Sequence, residues 1–414
     1  MRIWIIDHYS VPERYYPLIR QTIFARKLME LGHDVRIFSA STVHNADINL
    51  IEGKELYRDE FSDGVNYTYV KCHGYKGNGI KRILNMEEFA FKLSKVCDIY
   101  ANKEGKPDSI LSCSMTLQAC RKGIKIARKY NAKVVAQITD LWPETLVSYT
   151  SLSANNPIIK YLRAIEKWIY VNADELVFST EGAYDYIIEQ HWDNLIARDK
   201  VNSINNGVDL EQFDYNLKNY TIKDDELDDL SKFKFIYTGS IRRVNNLGIL
   251  LDAAKLVKDK SVCFLIYGDG DELEELKIRV QTEKINNVYF KGKVEKKYVP
   301  YITSKADVNI AHIQTSELVF KYGVSHNKMF DYMAAGKPIF SDFACKYNPV
   351  IMHGCGIDVE DATPQGIAKK IEEIITMSDV ERLKYGEKAR IAAETIYNFN
   401  AHIQKLNGLL EKGK

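Results

Sequence analysis

Residues 1–38 read MRIWIIDHYSVPERYYPLIRQTIFARKLMELGHDVRIF. Ile3 to Ile6 is a short, continuous apolar run, the pattern of a strand buried on both faces. From about Leu18 to Leu31, Ile23, Phe24, Leu28 and Leu31 fall at helical spacing, and Gly32 supplies the stop. Val35, Ile37 and Phe38 then form a second strand. Strand, helix and strand in this order predict a parallel sheet flanked by helices.

The same order recurs at Ser109–Ser112, Ala119–Tyr130 and Val134–Ile138. A polar, acidic stretch from Asn216 to Asp229 has little to bury and reads as a linker with surface turns. A second set follows it: strand Phe233–Tyr237, a helix over about Leu247–Val257, strand Cys263–Tyr267, an acidic helix Glu272–Val280 and strand Val288–Lys291. Val308–Ile313, a helix ending at Ala335, and Pro338–Phe340 complete it. The 414 residues exceed the roughly 250–300 that one core usually supports, so two α/β domains in tandem are predicted. Such a pair is expected to hold a ligand in a central cleft, between the carboxyl ends of its sheets.

Composition narrows the ligand. Apolar residues make up 45% and charged residues 27%, an ordinary globular balance. The 57 Lys and Arg nearly cancel the 56 Asp and Glu, so no broad positive field exists to gather nucleic acid, and an anionic ligand must be held by a few local cations and amides. Seven cysteines, without C-x-x-C spacing, suggest neither zinc nor a disulfide framework. The apolar run after Met1 stops at Asp7, too short for a signal peptide or a membrane span, and a cytoplasmic location is expected.

Two glycine-bearing turns invite a phosphate reading. Gly268-Asp269-Gly270 follows a strand, but the third glycine of a dinucleotide fingerprint is missing and Asp269, Asp271 and Glu272 would repel a pyrophosphate. It reads as a plain turn, and the absence of a glycine fingerprint after the first strand disfavours a nicotinamide dehydrogenase. Tyr237-Thr238-Gly239-Ser240 is better placed: small residues leave a strand, and Arg242 and Arg243 lie in the loop beyond, where an arginine can grip phosphate oxygens. The richest segment is Lys321–Pro338, KYGVSHNKMFDYMAAGKP, in which a polar loop meets a short helix closed by Gly336 and Pro338. Met329, Phe330 and Met333 supply its packing face, Asn327 and Lys328 sit at its start, and Asp331 lies three residues on, on a face suited to ribose hydroxyls.

This segment resembles the donor-site helix of family 4 retaining glycosyltransferases of GT-B fold. Asn206-Gly207-Val208-Asp209 resembles the family's N-G-V-D, and Phe290, Gly292, Val294 and Pro300 its F-x-G-x-V loop, with Lys293 inside it; Ala306 and Asp307 resemble its A-D strand start. Asp140-Leu141-Trp142-Pro143 resembles the D-x-W-P turn of bacterial members that build O-antigen or capsule, the fucosamine-type amino-sugar transferases in particular. The resemblance implies two Rossmann-like domains with parallel sheets facing across a cleft: an acceptor-binding domain over residues 1–212, rejoined by a returning C-terminal helix over 397–414, and a donor domain over 213–396.

It also implies roles. Arg242 and Lys328 would neutralise the diphosphate, with Asp140 as acceptor base or sugar ligand; Gly239, Ser240, Gly292, Lys293, Val294, Gly323, Val324, Ser325, Asn327 and Asp331 would hold the donor; and His8 and Tyr9, beyond the first strand, would meet the acceptor. No metal and no cofactor are expected, the nucleotide sugar being a substrate. The acceptor would be a saccharide, and Tyr75–Val96, where Lys76, Lys81 and Arg82 mix with Ile80, Ile83, Leu84 and Phe89, suits an anionic membrane face as well as it suits a core; if it meets lipid, the resemblance implies a lipid-linked acceptor.

Two departures stand out. Gly323 occupies the place of the first glutamate of the family's paired acidic motif, which touches the donor sugar, and Asp331 occupies the second. The G-R-x-x-x-x-K loop has Ser240 for arginine and Asn245 near the expected lysine. A nucleotide-sugar epimerase on the same frame, or a non-catalytic sugar-nucleotide sensor, therefore remains an alternative at this level.

Overall fold

The structure, a computed structural model, describes the chain apart from residues 16–19, 45, 78, 151, 314–320, 344 and 412–414. It divides into two compact units, Met1–Asn205 with His402–Lys414, and Asn206–Ala401.

The first unit is built on β1 (Arg2–Ile6), β2 (Asp34–Ala40), β3 (Tyr57–Ser62), β4 (Val65–Val70), β5 (Ser109–Cys113), β6 (Lys133–Ile138), β7 (Glu175–Phe178) and β8 (Val201–Ser203). Their order is β3-β4-β2-β1-β5-β6-β7-β8. Residues 1–38 form the expected parallel pair, Arg2 opposite Asp34 through to Ile6 opposite Phe38, with a helix over Arg20–Glu30 between them; the expected start at Leu18 lies outside the described residues. One edge departs from the all-parallel expectation, because β3 runs antiparallel to β4. This hairpin turns on Asp63 and Gly64, both at positive φ, and β3 (YRDEFS) is too charged to show an apolar period, as suits an exposed edge. The chain end also packs here: the helix Phe399–Glu411 accepts a bond from Ser109 Oγ at the Leu410 carbonyl (2.8 Å), and Lys405 Nζ donates to the Ser203 carbonyl (2.8 Å).

The second unit carries β9 (Phe233–Thr238), β10 (Val262–Tyr267), β11 (Val288–Gly292), β12 (Val308–Ala311), β13 (Ile339–Ser341) and β14 (Gly356–Asp358), all parallel, in the order β11-β10-β9-β12-β13-β14. The chain leaves β9 toward one edge and returns on its other side as β12, so the loops after β9 and β12 part company and open a crevice at their carboxyl ends. In the first unit β1 stands in the same relation to β2 and β5.

Asn216–Asp229 is not a linker. Leu210–Asn219 and Asp225–Asp228 are helical, Leu227 is buried, and Asp224 accepts from Lys291 Nζ (2.6 Å) and the Tyr267 hydroxyl (2.8 Å). Its acidic residues serve local capping and pairing, which leaves few apolar positions to mark it as structured. Among the described residues no helix is long and apolar enough to cross a membrane.

Candidate functional site

The crevice of the second unit is shaped from its strand ends upward. The apolar run of β9 buries Tyr237, whose hydroxyl donates to the Ser240 carbonyl (2.9 Å) and curls the chain back over the strand. Buried Asn245 closes the loop, its Nδ2 donating to the Ser240 carbonyl and Oγ (2.8 Å each), and the Thr238 amide donates to the Tyr332 hydroxyl (2.9 Å). Gly239 and Ser240 are left exposed at the rim, with Arg242 exposed beyond them.

Beneath this loop lies Gly268-Asp269-Gly270. Gly239 N donates to Tyr267 O (3.0 Å) and Ile241 N to Asp269 O (2.9 Å). A Cβ on Gly268 would stand 1.8 Å from the Gly239 carbonyl, and one on Gly270 2.1 Å from that of Ile241. The turn reading holds, with an added duty, since the two glycines let one loop lie directly on the other. Gly268→Ala is expected to push the Gly239 loop outward, costing about 1–3 kcal/mol in chemical denaturation as overpacking does. Unchanged stability would mean the loops are not in contact.

Lys328 reaches the same crevice from the first turn of the helix Asn327–Ala334. Its Nζ donates to the Tyr237 hydroxyl (3.0 Å) and the His312 carbonyl (3.1 Å) and lies 4.3 Å from the Tyr237 ring centroid. Burial pushes its pKa down to about 7, against the pull of the Asp342 carboxylate. His312, one residue past β12, and Asp342, one past β13, form a buried pair (Nδ1 to Oδ2, 2.5 Å), while His312 Nε2 meets the Asn246 carbonyl (3.0 Å). Both ring nitrogens face groups that only accept, an arrangement that favours the doubly protonated ring. Burial is the largest influence and lowers its pKa, but the Asp342 charge, the bond to Asp342 and the Asn246 carbonyl together raise it.

Ahead of the Lys328 helix run Gly323, Val324 and Ser325. Among the described residues their three amides donate to no protein acceptor, although Gly323 and Val324 are buried. Buried amides are nearly always paired, so two of them followed by the half-buried Ser325 amide, just before a helix N-terminus, form a cradle of the kind that can meet an anion. Gly323 sits at φ +121°, in the region that favours glycine, which gives a backbone reason for glycine where the family motif has glutamate. The Val324 side chain belongs to the core with Met329, Phe330 and Met333, which leaves its backbone amide as the part a ligand can meet. Ser325 accepts from the Asn206 amide at Oγ and from Asn206 Nδ2 at its carbonyl (2.7 Å each), which ties the N-G-V-D segment to the cradle.

The other expected donor residues are spread around this centre. The Gly292 carbonyl accepts from Gly268 N (2.8 Å), so its turn adjoins the Gly239 loop, while Lys293 is exposed and Val294 packs against the cluster of Leu227, Ile236 and Tyr267. Asn327 is exposed. Asp331 is mostly buried and ion-paired with Lys296.

In the first unit, Asp140 lies two residues beyond β6 and is exposed, yet the protein around it desolvates its carboxyl and raises its pKa, and it has no hydrogen-bond partner among the described residues. His8 is enclosed instead. Its ring is 1% exposed, bonded through Nε2 to Asn85 Oδ1 (2.8 Å) and packed on Phe89, and burial pushes its pKa down to about 3. An acceptor contact through His8 is therefore not what the structure offers; half-buried Tyr9, whose hydroxyl accepts from Arg82 Nε (3.0 Å), stands nearer solvent.

Two family models match the chain: "Glycosyltransferase Family 4" over residues 22–212 and "Glycosyl transferases group 1" over 232–377. Among curated proteins it is 23% identical over 257 residues to "Uncharacterized glycosyltransferase MJ1069" of Methanocaldococcus jannaschii, covering 61% of this chain and 62% of the relative. It is 24% identical over 254 residues to "Probable glycosyltransferase WbjE" of Pseudomonas aeruginosa, covering 58% and 60%. The chain thus spans about three fifths of the curated relatives it matches. Sucrose-phosphate synthase of Thermosynechococcus elongatus superposes with a TM-score of 0.68 at 18% identity, covering 99% of this chain and 98% of that one. Alr3699/HepE of Anabaena, solved in complex with UDP, gives 0.68 at 14% identity, with 99% of each chain covered. These likenesses establish the GT-B fold.

Proposed function

The chain belongs to the family 4 glycosyltransferases, and from that premise we propose a retaining, metal-independent transferase that moves a hexosyl group from a nucleotide diphosphate sugar to a saccharide. The donor is a uridine diphosphate sugar by preference, and the acceptor is lipid-linked, in surface polysaccharide synthesis of O-antigen or capsule type at the cytoplasmic face of a membrane. Residues 213–396 take the donor and residues 1–212 the acceptor. The observation that carries this reading is the run of amides at Gly323–Ser325, partnerless among the described residues, leading into the helix that bears Lys328. The UDP bound to the Anabaena relative supports a uridine nucleotide.

A sugar leaving its nucleotide puts negative charge on the diphosphate. Lys328, the exposed Arg242 and the helix N-terminal amides meet that charge where it develops, which is usually the largest catalytic effect. The Gly239–Ser240 rim admits the phosphates closely, and Asp331 with Lys296 is placed for ribose hydroxyls. Unpartnered Asp140, its pKa raised, takes the acceptor proton or a sugar hydroxyl, while a donor phosphate oxygen assists attack on the same face.

Thermal-shift measurements against uridine and guanosine diphosphate sugars, with nicotinamide dinucleotides as controls, test the reading. Stabilisation by one nucleotide-sugar group supports it, and stabilisation by nicotinamide dinucleotides alone, or by no nucleotide, refutes it. Turnover of donor without acceptor would favour the epimerase instead.

Lys328 also sets a pH dependence. Its ammonium titrates near 7 in the free protein, and a bound diphosphate supplies the opposite charge and raises that value. Binding then takes up a proton above pH 7, and affinity for an intact uridine diphosphate sugar should fall up to about tenfold per pH unit there and level off below. His326, held down to about 4 by burial and by Lys328, stays neutral across this range. Calorimetry between about pH 6 and 9 reads the slope, and a flat profile would separate Lys328 from the diphosphate.

A further inference from the structure

In the first unit the helices Ile80–Lys103, Leu117–Tyr130 and Pro157–Asn172 pack in succession, and their outer face has a composition that folding does not explain. Ile80, Ile83, Leu84 and Phe91 fall on one side of the first helix and are 76%, 52%, 61% and 82% exposed. Ile158 and Tyr161, on the third, are 59% and 56% exposed. An outward apolar stripe of this length is what a solvated helix avoids.

Charge gathers beside it. A hollow of about 210 Å³ is lined by Arg121, Lys122 and Lys125 together with Phe91 and Tyr161, and Glu87 is the single carboxylate in its wall. Among the described residues none of the three cations has a carboxylate partner. Arg121, Lys125 and Arg128 instead crowd around the Trp168 ring at 5.5, 5.8 and 5.6 Å, and Arg121 Nε is buried without a hydrogen-bond partner. The Arg121 charge, then burial and the Lys122 charge, lower the pKa of Lys125, the sign of cations held together with no counter-ion. Lys95 and Lys160 extend the exposed positive surface.

We propose that this face docks on an anionic lipid bilayer, with phosphate headgroups at Arg121, Lys122 and Lys125 and with Phe91, Leu84 and Ile80 seated among the acyl chains. Cations bordering a row of exposed apolar side chains are what a negatively charged interface takes up. A lone phosphate would satisfy the cations but leave the apolar row, about 16 Å from Ile80 to Phe91 at the helical rise, in water. The inference deepens the placement at a membrane face and rests on that reading for its purpose. Vesicle binding requires no donor and no turnover, so either idea can fail alone.

Co-sedimentation of the whole chain with vesicles of phosphatidylcholine, and of phosphatidylcholine with about one third phosphatidylglycerol, is the test. Binding to the anionic vesicles only is expected. The double variant Lys122→Gln/Lys125→Gln should lower the partition coefficient about 25-fold, near fivefold per cation removed, and Phe91→Ser about tenfold. Arg121 is left intact because its Nε is buried and its stem is part of the packing, whereas Lys122 and Lys125 are removed for their charge. Both variants should keep the parent's unfolding temperature and donor-induced stabilisation. No binding, equal binding to both vesicles, binding unchanged in the variants, or release by millimolar glycerol phosphate would each overturn the proposal, the last by showing a site for one soluble anion.

Discussion

Lys328→Met lowers donor turnover by about 10²–10³-fold without lowering the stability of the fold. Methionine keeps the length and apolar stem that cross the Tyr237 ring, so the side chain continues to fill its place, and only the charge and two donated bonds are lost. Removing one preorganised group that faces developing negative charge costs about 2.7–4 kcal/mol of transition-state stabilisation, which is the fold-change quoted. Stability moves the other way. The folded pKa of about 7 lies below the ordinary lysine value of 10.5, so burial penalises the folded state fully below pH 7, and the penalty fades as pH rises from there toward 10.5. The methionine variant should therefore equal or exceed its parent in urea, most clearly below pH 7. Lys328→Arg is not expected to rescue turnover, because a planar guanidinium does not fit a point contact shared by one hydroxyl and one carbonyl. A kcat within threefold of the parent, or a loss of activity that tracks a loss of fold, would remove Lys328 from the chemistry.

How far this centre could be read in the sequence depends on which interactions are local. The β1 and β2 pair was legible because both strands are buried and their apolar runs are continuous. The β3–β4 hairpin was not, because an edge strand of charged residues carries no period. Lys328 and the loop at Gly239 were legible as small and cationic residues beside strand and helix ends. His312 and Asp342 were missed. Each looks like a polar residue closing an apolar strand, and they meet only because β12 and β13 lie side by side. The one available signal was positional, since both sit just past the carboxyl ends of parallel strands. Asp331 read as an open carboxylate, and only the tertiary structure supplies Lys296. His8 read as a strand-end ligand, while the helix that covers it contributes Asn85 and Phe89 from about 80 residues away.

The missed pair gives the second large effect: Asp342→Ala should cost the second unit about 3–5 kcal/mol, the usual result of removing one partner of a buried ion pair. The imidazolium of His312 would then lie buried with no counter-charge. If it sheds a proton, one ring nitrogen loses its hydrogen and only the Asn246 carbonyl keeps a donor. The parent and the variant should also differ in pH dependence. The folded pKa of His312 is raised above the ordinary 6.5, so its contribution is fully present below 6.5 and is lost as pH rises through the folded value. That decline should vanish in the variant. The units can be followed separately, because Trp4, Trp142, Trp168 and Trp192, the four tryptophans of the chain, all lie in the first unit. Tryptophan emission should report an unchanged urea transition, and the loss should fall in the part of the circular dichroism transition that has no tryptophan counterpart. Combining Asp342→Ala with His312→Leu should recover part of the loss, since the stranded charge goes with its partner. Donor affinity should fall in the single variant even where the fold persists, because the His312 carbonyl holds Lys328 and its ring holds Asn246 at the start of the helix Leu247–Leu256. A single variant within about 1 kcal/mol of the parent that keeps the parent's pH slope would show that the pair does not bind the two strand ends together.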